Sequence, residues 1–131
     1  MLANLTVREH MTKNPVLFTP DMDVFAAIRE LLSRKITGAP VVDSRRKLIG
    51  VFSETDCMRV AVSASYHEDM PGKVKEFMTT DFKAVDCETS IVEVADMFTK
   101  SPLRHFPVLE EGHLIGVISR VDILKAILSC W

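Results

Sequence analysis

Apolar and polar positions follow two alternating rhythms along this chain, and each rhythm occurs twice in the same order. Short apolar runs of β character stand at Val16-Leu17-Phe18, Pro40-Val41-Val42 and Leu48 to Phe52. Between the first two of these, Val24, Ala27, Ile28, Leu31 and Leu32 recur at spacings of three and four, which predicts an amphipathic helix over 24–34 with Asp23 as its cap. The second half repeats the pattern with Lys83-Ala84-Val85, then Ile91, Val94, Ala95 and Phe98 behind a Ser90-Ile91-Val92-Glu93 capping box, then Pro107-Val108-Leu109 and Leu114 to Ile118. Each half closes on a second helix, over about 54–64 and about 120–129. Each is also preceded by a short turn: Thr6-Val7-Arg8-Glu9 reads as a capping box ending near Met11, and 73–78 fills the same role. The amphipathic helices each have one face to bury.

The repetition is ordered enough to be measured. An offset of 67 lays Met11-Thr12 on Met78-Thr79 and Pro40-Val41-Val42 on Pro107-Val108-Leu109. Beyond them an offset of 66 lays Leu48-Ile49-Gly50-Val51 on Leu114-Ile115-Gly116-Val117, Ser53 on Ser119 and Asp56 on Asp122. The lost residue falls between Asp43-Ser44-Arg45-Arg46-Lys47 and Glu110-Glu111-Gly112-His113, polar stretches where a hairpin loop tolerates a length change. The order is βαββα twice, an α/β (α+β) chain divided into 1–64, a Pro-Gly connector at 65–72 and 73–131. Halves of about 60 residues bury too little surface to be comfortable alone, so they are expected to pack on each other with a pseudo-two-fold relation. Pro40 and Pro107 cannot donate to a ladder and are expected at strand starts, where an open backbone edge can face a ligand.

Composition narrows the field. Across 131 residues, 47% hydrophobic and 26% charged content describe an ordinary globular protein. No apolar run approaches the roughly 20 residues that cross a bilayer, and the N-terminus lacks the pattern of a secretory signal, so a cytoplasmic address without membrane insertion is expected. A net charge of −2 with interleaved signs argues against nucleic acid as a partner. Cys57, Cys87 and Cys130 are odd in number and far apart, which suits reduced thiols, and neither they nor His10, His67, His105 and His113 show metal-ligand spacing.

The candidate chemistry lies in Ser53-x-x-Asp56 and Ser119-x-x-Asp122. Each pattern is a helix cap on its own terms: the hydroxyl takes an orphan N–H, and the acid complements the dipole. A helix N-terminus also holds anions or hydroxyls, and an acceptor-only carboxylate suits a vicinal diol such as that of ribose. Capping leaves unexplained the glycine three residues before each serine and the Pro-Val pair at a matching distance upstream.

With those residues in place, the chain resembles a tandem pair of CBS domains (cystathionine β-synthase domains). The first copy carries it in Val7 to Met11-Thr12, Thr19-Pro20-Asp21, Gly38-Ala39-Pro40-Val41-Val42-Asp43, Leu48-Ile49-Gly50-Val51 and Ser53-x-x-Asp56. The second carries it in Val74 to Met78-Thr79, His105-Phe106-Pro107-Val108, Leu114-Ile115-Gly116-Val117 and Ser119-x-x-Asp122. The resemblance covers about residues 5 to 128. It implies a regulatory module with two clefts between the repeats that bind, without transforming, adenosine-containing ligands: AMP, ADP, ATP, S-adenosylmethionine or dinucleotides. By that analogy Asp56 and Asp122 take ribose hydroxyls, and Ser53 and Ser119 take ribose or phosphate. Backbone and apolar groups at Thr37, Gly38, Ala39, His105 and Phe106, and around the first strands from Val16 to Phe18 and from Phe82 to Val85, hold the adenine. Arg104, His105 and Arg120 are basic where the first copy has Thr37, Gly38 and Glu54. The Ser119–Asp122 cleft is therefore expected to prefer a phosphorylated adenosine, and the Ser53–Asp56 cleft to be weaker for phosphate or empty.

Two rivals are weighed against that reading. An enzyme is disfavoured, since no Gly-x-Ser-x-Gly elbow, P-loop or Gly-x-Gly-x-x-Gly is present, and no catalytic cofactor is expected. A non-catalytic interaction or dimerisation scaffold with unoccupied clefts is the alternative. The resemblance implies a homodimer signalling to an unknown regulated protein, and Ile123, Leu124, Ile127 and Leu128, followed by Trp131, supply apolar surface for association.

Overall fold

The structure, a computed structural model, describes residues 1–66 and 72–131. Its elements in chain order are a 3₁₀ turn at Leu2–Asn4, α1 (Val7–His10), β1 (Thr12–Lys13), α2 (Val24–Arg34), β2 (Gly38–Val42), β3 (Leu48–Ser53), α3 (Glu54–Tyr66), α4 (Val74–Phe77), β4 (Val85–Asp86), α5 (Ile91–Thr99), β5 (His105–Glu110), β6 (His113–Ser119) and α6 (Arg120–Ser129). They form two compact units, Val16–Phe82 and Met1–Pro15 with Lys83–Trp131.

These units differ from a division of the chain at 1–64, 65–72 and 73–131, because each repeat's opening segment packs on the other repeat's strands. The physical cause is visible at two glycines. A Cβ on Gly116 would sit 2.7 Å from both the Thr12 carbonyl oxygen and Met11 Sδ, and one on Gly50 would sit 3.0 Å from the Thr79 carbonyl and 2.9 Å from Met78 Sδ. Each Met-Thr pair thus lies directly against a Leu-Ile-Gly-Val strand, which only a residue without a side chain permits. Of the connector, Ser65 and Tyr66 extend α3, Gly72 accepts a bond from the Val24 N–H at 3.0 Å, and 67–71, with His67 among them, lie outside the described residues.

In the unit of 1–15 and 83–131, a sheet runs β1-β6-β5-β4, with β4 parallel to β5 and the other pairs antiparallel. Val7, Ile91, Val94, Phe98, Phe106, Val108, Ile118, Ile123 and Ala126 form its core. In the unit of 16–82, β2 and β3 pair antiparallel, and single bridges from Phe18 to Val41 and from Thr79 to Val51 stand where the other unit has β4 and β1. Phe18, Val24, Ala27, Leu31, Val41, Phe52, Val60 and Val74 form the second core.

The first strands are shorter than expected: 16–18 shrinks to the bridge at Phe18, and 83–85 becomes Val85–Asp86. Pro40 and Pro107 explain this, although they are the third residues of β2 and β5, not the first. Pro40 pairs with Val51, whose own N–H and carbonyl bond to Thr79 at 2.9 and 2.8 Å, so the proline nitrogen faces the opposite side. There Phe18 donates to the Pro40 carbonyl at 2.9 Å, and the next ladder bond, from Pro40 to Val16, has no donor. The parallel ladder stops, leaving the Val16 backbone edge outside it.

The remaining elements follow their capping chemistry. Asp23 accepts from the Ala26 N–H at 3.0 Å at the start of α2, and the Thr6 and Lys73 N–H groups donate to Glu9 and Glu76 at 3.1 and 2.7 Å. Ser90 accepts from the Val92 N–H at 3.1 Å. The single-residue gap lies in the hairpins: Glu111-Gly112 is a two-residue turn with both φ angles positive, while the first copy closes over Ser44-Arg45-Arg46 with Arg46 left-handed and Asp43 accepting from the Arg45 and Lys47 N–H groups at 2.9 Å.

Candidate functional site

Ser119 ends β6 and caps α6. Its N–H and hydroxyl donate to Asp122 Oδ2 at 2.8 and 3.0 Å, and its hydroxyl accepts from the Asp122 N–H at 3.3 Å. The register sets His105 directly across from Ser119, and the Arg120 N–H donates to the Arg104 carbonyl at 3.0 Å. The hairpin thus brings Arg104, His105, Ser119 and Asp122 together at one sheet end. Asp122 is half-buried, and among the described residues no hydrogen bond or ion pair reaches its Oδ1.

The first copy has the same frame and a different interior. Ser53 lies across from Gly38, and the Glu54 N–H donates to the Thr37 carbonyl at 2.9 Å. The Ser53 N–H and hydroxyl donate to Asp56 Oδ2 at 2.8 and 3.2 Å. Here the other oxygen is also taken: Thr79 Oγ1 donates to Oδ1 at 2.9 Å, and Arg59 forms an ion pair with it. Asp56 is 0% exposed.

The CBS domain model matches residues 7–63 and again 74–129. The chain belongs to the CBS-domain family. It is 29% identical to CBSX2 of Arabidopsis thaliana, whose structure was solved in complex with AMP; the superposition has a TM-score of 0.84 and covers 95% of this chain and 97% of that one. A protein of Methanocaldococcus jannaschii is 27% identical over 98% of this chain, and the A-adding tRNA nucleotidyltransferase of Aquifex aeolicus is 30% identical over 95%. The chain spans 45% and 15% of the length of these two relatives.

Within the CBS frame several of the residues expected at the ligand have their side chains packed in the two cores. Phe106 is fully buried and stacks on Phe98 with centroids 4.4 Å apart, and Phe18 is buried edge-on to Phe52 at 6.1 Å. Val85 and Ala39 are also buried, the first in the core of its unit and the second in the other, so none of these four side chains faces outward. Val16, Thr37 and Gly38 are half-buried, and Arg104 is exposed. Arg120, expected to meet phosphate, instead donates to the carbonyls of Phe98, Ser101 and Leu103 at 3.0, 2.7 and 3.0 Å, with its guanidinium 5.4 Å from the Phe98 ring centroid. The orphan Phe98 carbonyl at the negative end of α5, with the Ser101 and Leu103 carbonyls beyond the helix, is a natural seat for a guanidinium and holds it there.

Sequence reasoning missed Arg59 and Thr79 as neighbours of Asp56. Arg59 was within reach of a spacing rule, since residues three apart share a helix face. In the sequence Thr79 stands out only as half of a repeated Met-Thr. Among the described residues no group of three His, Cys, Asp or Glu is arranged to hold a metal, and no helix is long and apolar enough to cross a membrane. Burial pushes the Cys87 and Cys57 thiols up, away from the reactive thiolate.

Proposed function

We propose that the chain is a regulatory module that binds an adenosine-containing ligand at Ser119 and Asp122 and passes its occupancy to a separate protein, without catalysis. The observation that carries this is the uncommitted Asp122 Oδ1 at the end of a capped helix. Its Oδ2 is fixed by Ser119, so the carboxylate is oriented before any ligand arrives, and the remaining oxygen accepts from a ribose diol. The α6 N-terminus favours a phosphate or a hydroxyl beside it. Backbone left outside the ladder before Pro107, as at Val16 before Pro40, offers an edge to an adenine. The AMP bound by CBSX2 supports this ligand class.

The test is calorimetry with AMP. Asp122→Asn should abolish binding while Asp56→Asn leaves it within a few-fold of the parent; the reverse pattern would overturn the assignment. At 100 times its dissociation constant the ligand should add about 2.7 kcal/mol to stability, so a thermal-shift panel of AMP, ADP, ATP and S-adenosylmethionine also separates this module from a scaffold that binds none.

The partner we propose for the outer face of α6 is a second copy, in a cytoplasmic homodimer. Val121, Leu124, Leu128 and the terminal Trp131 are exposed large hydrophobics, more apolar surface than a solvated helix face carries. Light scattering should report a dimer for the parent and a monomer for L124E/L128E; a monomeric parent at micromolar concentration counts against it.

A further inference from the structure

Asp56 and Asp122 occupy matching places in the two CBS repeats, and one side chain separates their circumstances. Arg59, three residues past Asp56 on α3, pairs with Asp56 Oδ1 and also reaches the Phe77 carbonyl at 3.3 Å and Thr79 Oγ1 at 3.4 Å. Counting Ser53 N–H, Ser53 hydroxyl, Thr79 hydroxyl and the guanidinium, four donors meet a group with about four lone-pair sites. The counterpart of Arg59 in the second copy is Lys125, which makes no bond to Asp122 among the described residues.

We propose that Arg59 is an intramolecular plug that closes the Ser53–Asp56 repeat to a ribose diol and leaves the chain with one working adenosine site, at Ser119–Asp122. This rests on reading both aspartates as diol acceptors. A neutral diol entering at Asp56 exchanges an ion pair for hydrogen bonds from uncharged hydroxyls, and leaves a buried carboxylate without its cation. The exchange runs uphill. At Asp122 the same diol displaces no cation. Arg59 is itself 54% exposed, so its contacts with Asp56, Phe77 and Thr79 hold it in place rather than burial in the core. It is therefore removable without opening a cavity.

Calorimetry with adenosine reads the proposal as a stoichiometry. The parent should bind one equivalent and R59A two; R59A/D122N should bind one and R59A/D56N one. R59M, which keeps the aliphatic stem, serves if R59A does not melt cooperatively, with the same expected count. A parent that binds two equivalents overturns the plug, and so does an R59A or R59M protein that melts cooperatively yet still binds one. A parent that binds none while R59A binds one upholds the plug and overturns the assignment to Asp122. If neither the parent nor R59A binds, the diol reading fails and the plug fails with it.

Discussion

Arg120 shows how one residue's role turns on its nearest acceptors rather than on its place in a motif. It stands inside Ser119-x-x-Asp122, yet its guanidinium is spent on the Phe98 carbonyl in the last turn of α5, on the Ser101 and Leu103 carbonyls beyond it and on the face of Phe98. Arg120→Ala should therefore lower stability by about 1.5–3 kcal/mol, in the range of bonds to a charged donor, and change AMP affinity far less than Asp122→Asn. Urea denaturation with parallel calorimetry checks both halves of that expectation. A loss of AMP binding with unchanged stability would return Arg120 to the ligand. The aspartates and serines were legible as a duplicated pattern because a cap and a binding site share the same spacing. Which carboxylate was free was not legible. That depends on Arg59 and Thr79, and Thr79 reaches Asp56 from 23 residues away through a tertiary approach that no local rule encodes.

At the scale of elements, the repeated Met-Thr and the repeated Gly prove to be two sides of one contact. The backbone oxygen of Thr12 lies 2.7 Å from where a Gly116 Cβ would stand, closer than real Cβ contacts come, while the equivalent approach at Gly50 is 3.0 Å. Gly116→Ala should cost about 1–3 kcal/mol as an overpacked contact against backbone that cannot rotate away, and Gly50→Ala should cost less. Chemical denaturation of the two variants ranks them; equal and negligible losses would show that β1 gives way freely. The starts of helices such as 24–34 and 120–129 were readable, because Asp23 and Ser119 cap them, and their ends were readable approximately from the apolar stripes. The two-residue β1 was not readable. It has no periodicity, and it exists only because Thr12 and Lys13 find Val117 and Gly116 across the sheet.

At the scale of the whole molecule, neither sequence repeat contains a complete structural unit. The second half lacks β1 and Val7 of α1, which contribute a strand and a core residue to its sheet and cluster. The first half lacks Thr79 and Val74, which bridge to Val51 and pack in its core. A fragment of 72–131 alone therefore exposes the edge of β6 and the groove over Gly116, and a fragment of 1–66 alone exposes the matching edge of β3. At about 60 residues each, neither has core to spare for that loss. Each fragment should show weak far-ultraviolet ellipticity and no cooperative melt. An equimolar mixture should regain both, because the missing strand of each unit then comes from the other chain. Joining 1–15 to 83–131 through a flexible linker should restore cooperative melting to that unit without the rest of the protein, since the linker reunites all the residues that form it. A cooperative melt from 72–131 by itself would show instead that the opening segment decorates a unit already stable, and that the crossing of the two repeats is not what completes their cores.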